Sequence, residues 1–545
     1  MYAFTETRKK EYLLPDKIVL KSDNVENAEL LLQNGLQQNM IGRNGVCKIC
    51  GKGFLVLDFG KEYFGGVRIM TNGGRYDGLK ENIRIRFGES LTECMSELGE
   101  KNTTNDHSTR DFRVYMSHNA DMEWGSTGYR YIRVDFIEDG VFEIGNIFGT
   151  FLHADEPKGK FSCNDERVNG IWEICSRTLF LNMQNGCIWD GAKRDQHIWV
   201  GDLYPEILTA LYLYGDCEEI KNSLDRTLDA YPLPCWYNTI PTYNAWFMLI
   251  VDMYFKKTGK TNERYAQAVR GNIEQFAASV TESGTFNFRL AGLNYWETLF
   301  DWPSFGSSDS DYGCACLVLY ALQSVSDSPY FDTETKNAAK RLVSRLNGIS
   351  SKTVEFKAIE AFSALCGKRN GADAVAFLND GGAKGYSAFL SYFISKALAD
   401  NGALKAAFDN LVTYYGGMLD MGATTVWETF DLDWMEHACK ITECPKYGQK
   451  DIHGDFGANC YVGFRHSLCH GWSCGFIPFV VEYVVGFSFA DDTHKTVRFT
   501  PNLCGLKWLE CEIPTENGPI FVRHEEKDGE VTTKVRLPDG VTLAS

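Results

Sequence analysis

The sequence predicts a multidomain, mainly α protein in which one large helical domain lies between two β domains. Three observations predict it. The chain has 545 residues, more than one hydrophobic core serves. Short runs of alternating apolar residues, broken by Gly and Asn, occur only towards its two ends, and the long middle stretch carries apolar residues at helical spacing.

Between about 40 and 150 the runs GFLVLDFG, GGVRIM, NIRIRFGES, YRYIRVDFI and GVFEIGNIFG read as strands of a β-sandwich. The character changes near Phe161. In SCNDERVNGIWEICSRTLFLNMQ an Asn/Asp cap precedes Val168, Ile171, Trp172, Cys175, Leu179 and Met183 at helical spacing. Further helices are expected over 204–214, 243–257, 262–279, 312–325, 333–346, 354–367, 384–399, 402–414 and 475–485, about a dozen elements once shorter ones are counted and enough for a ring of paired helices. After Gly486 strands return in HKTVRFTP, LKWLECEIP, GPIFVRHEE and VTTKVRLPDG. The expected domains are 1–158, 159–487 and 488–545.

A net charge of −17 with no Lys/Arg block argues against nucleic acid or an anionic membrane as the main partner, and a neutral ligand fits better. The N-terminus MYAFTETRKKEYLLPDKIV has no apolar core of a secretory kind, and no stretch is long and apolar enough to span a bilayer, so a cytoplasmic location is expected. Eighteen cysteines lie scattered in apolar contexts and read as reduced, buried thiols. No phosphate-cradling loop, Rossmann fingerprint or nucleophile elbow is present, so no cofactor is expected.

Four polar clusters remain. The densest is WDGAKRDQHIWVGD, where Asp190, Asp195 and Asp202 stand beside Arg194, His197, Trp189 and Trp199 in a loop between helices. Loops on a rigid helical frame carry function, although the same residues suit ordinary salt bridges. In GATTVWETFD, Glu428 follows Trp427, either a desolvated acid beside a sugar wall or a helix-end acid beside a core aromatic. In NYWETLFDWPSF, Glu297, Asp301 and Trp302 sit in a dense aromatic run that fits a ligand platform or a core. In RHSLCHGWS, His466 and His470 have i,i+4 spacing but no acid at the spacing zinc peptidases use, and the CKIC pair Cys47 and Cys50 has no partner pair, so no metal site is assigned. Acids and tryptophans at several loops of one helical domain suit glycoside hydrolysis, which needs two carboxyl groups across the scissile bond.

The clusters around Asp190, Glu428 and His470 resemble, in this order, the α-L-rhamnosidases of glycoside hydrolase family 78, six-hairpin glycosidases. Asp190, Arg194, Trp199, Gly201 and Asp202 match the family's Asp-x-x-x-Arg-x-x-x-x-Trp-x-Gly-Asp, GATTVWETF its Gly-Ala-Thr-Thr-x-Trp-Glu and SLCHGWS its Ser-Leu-x-His. FLVLDFGKEYFGGVRI with IRIRFGES, and CGLKWLECEIPTENGPIFV, are similar to the β-sandwiches that flank its barrel.

The resemblance implies an (α/α)6 barrel flanked by N-terminal and C-terminal β-sandwich domains, and an inverting exo-hydrolase of terminal α-L-rhamnose acting on small glycosides or oligosaccharides. It implies Glu428 as general base, Asp190 and Asp202 as sugar ligands, and His470, Trp199, Trp302 and Trp427 as pocket lining, with Arg194 and Asp301 also expected at the sugar. The general-acid position falls on Asp195 where the family has glutamate. One methylene fewer sets the donor back by more than ~1 Å, so Glu297 is a reserve acid. The alternatives are another terminal sugar, including an unsaturated uronyl residue, or an inactive sugar-binding relative. The oligomeric state, a homodimer among the options, is not read from the sequence.

Overall fold

The computed structural model describes residues 6–33, 38, 45–294, 296–459 and 461–544. The expected β, α, β architecture is what it contains. Tyr295 of the aromatic run and the first five residues of the N-terminal stretch lie outside the described residues.

The N-terminal domain is built on three long antiparallel strands, Gly53–Arg75, Asp121–Phe136 and Val141–His153, with six shorter strands added to them. Register shifts between Asp58 and Tyr63 and between Gly65 and Val67 bend the central strand. Glycine is required there, since a Cβ on Gly65 would lie 2.1 Å from the Thr150 carbonyl oxygen and one on Gly66 2.2 Å from that of Trp124. Alternation along these strands buries Leu55, Leu57, Val67, Ile69, Ile83, Ile85, Ile132 and Val134 in a core of the domain's own.

The helical domain alternates two kinds of helix. Leu203–Leu213, Pro241–Thr258, Ser310–Asp327, Lys357–Leu365, Ser391–Asp400 and Phe476–Phe479, the last running on into a π-turn, are apolar on nearly every side. Each packs against the next and the last against the first, closing a ring. Glu166–Asn182, Glu218–Ala230, Glu263–Ala278, Thr333–Arg345, Gly371–Asn379 and Leu404–Asp420 bury one face only and form the outer layer. Trp246, fully buried, packs against Tyr204, Phe362, Phe389 and Phe393 at the centre.

Several expected boundaries move. The element expected over 384–399 begins at Ser391, because Gly381, Gly382 and Gly385 take φ of 64, 62 and 73°, outside the helical region. That expected over 402–414 continues to Asp420 through Gly416, where a Cβ would lie 2.1 Å from Arg167 Nε. Helices Glu218–Ala230 and Gly371–Asn379 were not among the expected spans; the first is strongly polar and the second opens on glycine. His466 and His470 lie in a loop between short 3-10 turns, not on one helix face.

Lys160–Cys163 leads into the first helix and pairs with Trp508–Ile513, so the chain enters the barrel through the C-terminal sheet. That four-stranded sheet and a three-stranded one of Phe487–Phe489, Thr496–Phe499 and Thr542–Leu543 form the C-terminal domain, which shares the barrel's core. The N-terminal domain packs on loops of the helical domain through Gly128 N to the Ala192 carbonyl (2.9 Å), Leu91 N to that of Ile441 (2.9 Å) and Glu62 N to Thr424 Oγ1 (2.9 Å). No helix among the described residues is long and apolar enough to cross a membrane, and every described cysteine is a free thiol.

Candidate active site

The loops that lead into four inner helices, those beginning at Leu203, Pro241, Ser310 and Phe476, converge on one cavity of about 310 Å³. Its position follows from the fold: packed helices hold the loops still, and the N-terminal β domain closes one side. It is lined by Asp190, Arg194, Asp195, Trp199, Asp202, Trp302, Glu428 and His470, all singled out from sequence, together with His107, Ile240, Tyr243, Trp296, Leu299, Tyr461, Arg465 and Trp472.

Arg194 organises the acids. Its Nη2 donates to both Glu428 oxygens at 2.6 and 2.7 Å, its Nη1 donates to Asp195 Oδ1 at 3.1 Å, and its Nε donates to the Arg465 carbonyl at 2.7 Å. Because the terminal nitrogens of one guanidinium touch both carboxylates, Asp195 Oδ1 and Glu428 Oε1 are no more than about 8 Å apart. Glu428 is fixed further by Ser467 N donating to Oε2 at 2.9 Å and by its own N–H to the Ser467 carbonyl at 3.0 Å. The segment 425–428 is thereby tied to 467–470, which also joins His470 N to the Val426 carbonyl at 3.1 Å.

Asp190 accepts from His197 N at 2.9 Å, and its carbonyl accepts from Gly471 N at 2.7 Å. Burial pushes Asp190 well above the usual carboxylate range and raises Asp202. His470 Nε2 lies 3.1 Å from Asp202 Oδ2 and its Nδ1 3.8 Å from Glu428 Oε1. Burial opposes charge on the imidazole, but Glu428 and Asp202 outweigh it and hold His470 up to about 9. His470 Nδ1 and Trp199 Nε1 are buried with no hydrogen-bond partner among the described residues. In a cavity-lining wall such atoms are ready to meet the hydroxyls of a sugar.

Asp195 differs from its neighbours. Burial pushes it up, but Arg194 and His107 outweigh that and hold it below the usual range. His107 belongs to the N-terminal domain, and its Nδ1 forms a short hydrogen bond with Asp195 Oδ1.

Three expected residues lie elsewhere. Trp427 is 1% exposed and packs edge-on against Phe430, away from the cavity that Glu428 lines. Glu297 is exposed and faces a different cavity with Arg289, Asp311 and Lys352. Asp301 is buried behind Trp302, where burial lifts it to about 7 against the Ser387 hydroxyl. Of the residues the sequence did not single out, Trp296, 58% exposed, stacks on Phe305 and leans on Trp302 at the rim. Trp472 donates from Nε1 to the Glu428 carbonyl at 2.9 Å. The WETLFDW and RHSLCHGWS runs carried these two tryptophans, while nothing near His107 marks it.

Among the described residues one group could gather a metal ion, Glu89, Glu93 and His453, all buried. The cation there is Lys193, with Nζ 3.0 Å from Glu89 and 3.1 Å from Glu93.

Residues 156–264 match the family model described as bacterial alpha-L-rhamnosidase 6 hairpin glycosidase domain, and residues 486–544 match that described as bacterial alpha-L-rhamnosidase C-terminal domain. No curated protein matches the chain in sequence. Among solved structures it is similar to a family 78 rhamnosidase of Bacillus sp. GL1, with 20% identity and a TM-score of 0.71 over 94% of this chain and 56% of that one. A rhamnosidase from Klebsiella oxytoca with rhamnose bound gives 15% and 0.63 over 87% and 96%. The Streptomyces avermitilis α-L-rhamnosidase complexed with L-rhamnose gives 14% and 0.67 over 90% and 48%. The chain thus spans about half the length of the Bacillus and Streptomyces proteins. The resemblance carried by the motifs extends to the fold.

Proposed function

We propose that this chain is an exo-acting glycoside hydrolase that releases terminal α-L-rhamnose from small glycosides with inversion at the anomeric carbon. The observation that carries the reading is a single guanidinium, Arg194, spanning Asp195 and Glu428 at an aromatic cavity. Inversion needs a base placed to activate a water on the face of the sugar away from the leaving group. Glu428, with both oxygens acting as acceptors, takes the proton of that water. Asp190, Asp202, His470 and Trp199 Nε1 hold ring hydroxyls, and no cofactor enters the chemistry.

Rhamnose has a methyl group where hexoses carry a hydroxymethyl. Ile240, Leu299 and the aromatic walls suit it, and mismatch of one such group is worth about 1–3 kcal/mol. A uronyl sugar is disfavoured because Arg194 and Arg465 already face Glu428, Asp195 and Asp106. The free thiols support a reducing compartment, which would make the substrate a small glycoside taken up by the cell.

The test is release of p-nitrophenol from p-nitrophenyl α-L-rhamnopyranoside beside a panel of other p-nitrophenyl sugars, with proton NMR of the first-formed anomer. Rhamnoside cleavage giving β-L-rhamnose first is expected. The α anomer first would remove inversion, cleavage of another sugar alone would remove rhamnose, and no release anywhere would remove the hydrolase. On the same substrate, Trp302→Ala should raise KM by about 10-fold, the lower part of the range for one lost apolar contact, with a smaller change in kcat. An unchanged KM would place the sugar away from this wall.

A further inference from the structure

His107 stands in the cavity although it belongs to the N-terminal β domain, on the loop between Glu100–Asn102 and Asp111–Val114. Its Nδ1 is hydrogen-bonded to Asp195 Oδ1, and its Nε2 lies 3.3 Å from Asp106 Oδ1. Arg465 holds Asp106 from the far side at 3.0 Å. The charged groups around the imidazole are therefore Asp106 on its own loop, Asp195 and Arg194 on the loop before the first inner helix, and Arg465 on the late loop.

Asp195 Oδ1 accepts from Arg194 and meets His107 at once. A carboxylate that accepts from a guanidinium is placed as an anion, whereas an acid must carry its own proton. Asp195 and His107 also share left-handed backbone, with φ of 60 and 65°. Asp and His are among the residues that take this region readily, so both turns suit their sequence.

We propose that His107 is the proton donor to the leaving oxygen and that Asp195 is its anionic partner, an assignment that rests on the glycosidase reading above. Nδ1–H stays with Asp195, which orients the ring. The proton on Nε2 passes to the glycosidic oxygen as the bond from that oxygen to the anomeric carbon breaks, the bonding pair staying with the oxygen. The water deprotonated by Glu428 forms the new bond to carbon. The proton gained by Glu428 balances the one lost by His107, and exchange with solvent restores both. Asp195 then needs no reach of its own, because the imidazole supplies it. The N-terminal domain thereby completes the site instead of only covering it.

The experiment compares His107→Ala with wild type on p-nitrophenyl and methyl α-L-rhamnopyranosides over a range of pH. Nitrophenolate leaves without help and methoxide does not. We expect kcat to fall by about 100-fold or more on the methyl glycoside and by under about 10-fold on the nitrophenyl one. The alkaline limb of the wild-type kcat profile should disappear. Adding Asp195→Glu to His107→Ala should recover part of the methyl-glycoside rate, since the longer acid can then donate directly. Equal loss on both substrates, or no loss with an unchanged pH profile, overturns the proposal; melting curves of each variant identify a folding defect as the source of any equal loss. A wild type that releases no sugar removes the glycosidase reading and this assignment with it, whereas an active wild type indifferent to His107→Ala removes the assignment alone.

Discussion

Glu428→Gln is expected to lower kcat by about 10²–10⁴-fold, the range a positioned general base supplies, with KM little changed. The amide keeps the shape of the side chain and one acceptor oxygen. It cannot take a proton from water, and it turns an NH₂ group towards donors. Glu428 accepts from Arg194 at both oxygens and from Ser467 N at one, so at least one donor would face another donor in a buried site. That mismatch should cost on the order of 1–3 kcal/mol of stability, visible as a lower melting temperature without loss of the folded state. Initial rates on the nitrophenyl rhamnoside with a thermal melt on the same sample separate the two effects. Turnover within a few-fold of wild type would take Glu428 out of the chemistry. The same rate loss on methyl and nitrophenyl glycosides is also expected, because the base acts on water and not on the leaving group. This contrasts with the leaving-group dependence expected at His107.

Why Glu428 was legible in the sequence while His107 was not is a matter of where each signal lies. Asp190, Arg194, Asp195, Trp199 and Asp202 fall within one loop of fourteen residues, so the chain itself concentrates them. Glu428 and His470 sit in short runs with distinctive neighbours. His107 reaches Asp195 across 88 positions and from another domain, in the sequence TTNDHSTR, which has no periodicity or spacing to mark it. Trp427 misled for the opposite reason. Its adjacency to an acid was visible, but the packing against Phe430 that draws it into the core belongs to tertiary structure. The barrel followed the same division. Apolar periodicity located most helices, but the closure of six inner helices into a ring is a property of packing between distant segments. The glycines near 381–385 delay a helix because of their φ, which apolar spacing does not carry.

Lys193→Met should destabilise the protein by about 3–5 kcal/mol near pH 8, the range for removing one partner from a buried ion pair. Lys193 Nζ bridges Glu89 and Glu93 of the N-terminal domain, at 3.0 and 3.1 Å, and donates to the Phe464 carbonyl at 2.9 Å and to that of His466. Glu62 lies close enough to these acids to be pushed well above its ordinary range, by burial first and then by Glu89 and Glu93. Burial drives Glu89 up to about 7 even with Lys193 beside it. The sign of the pH dependence follows. A carboxyl whose folded pKa is raised from 4.5 to about 7 contributes stability that is full below about 4.5 and is lost as pH rises through about 7. Without the lysine its folded pKa rises further, so at pH 5 Glu89 is neutral and the variant should stand closer to wild type. At pH 8 Glu89 must be charged or bind a proton at a cost, so the gap should be widest there. Urea unfolding at the two pH values measures it, and a gap independent of pH would mean that Lys193 acts through packing alone. The effect should reach the site as well. Glu89 accepts from Leu468 N at 2.7 Å and from Ser467 Oγ at 3.2 Å, and Ser467 N holds Glu428. A lysine that touches no sugar is thus expected to govern where the base stands, and kcat should fall in Lys193→Met even at pH 5, where stability is closer to that of wild type.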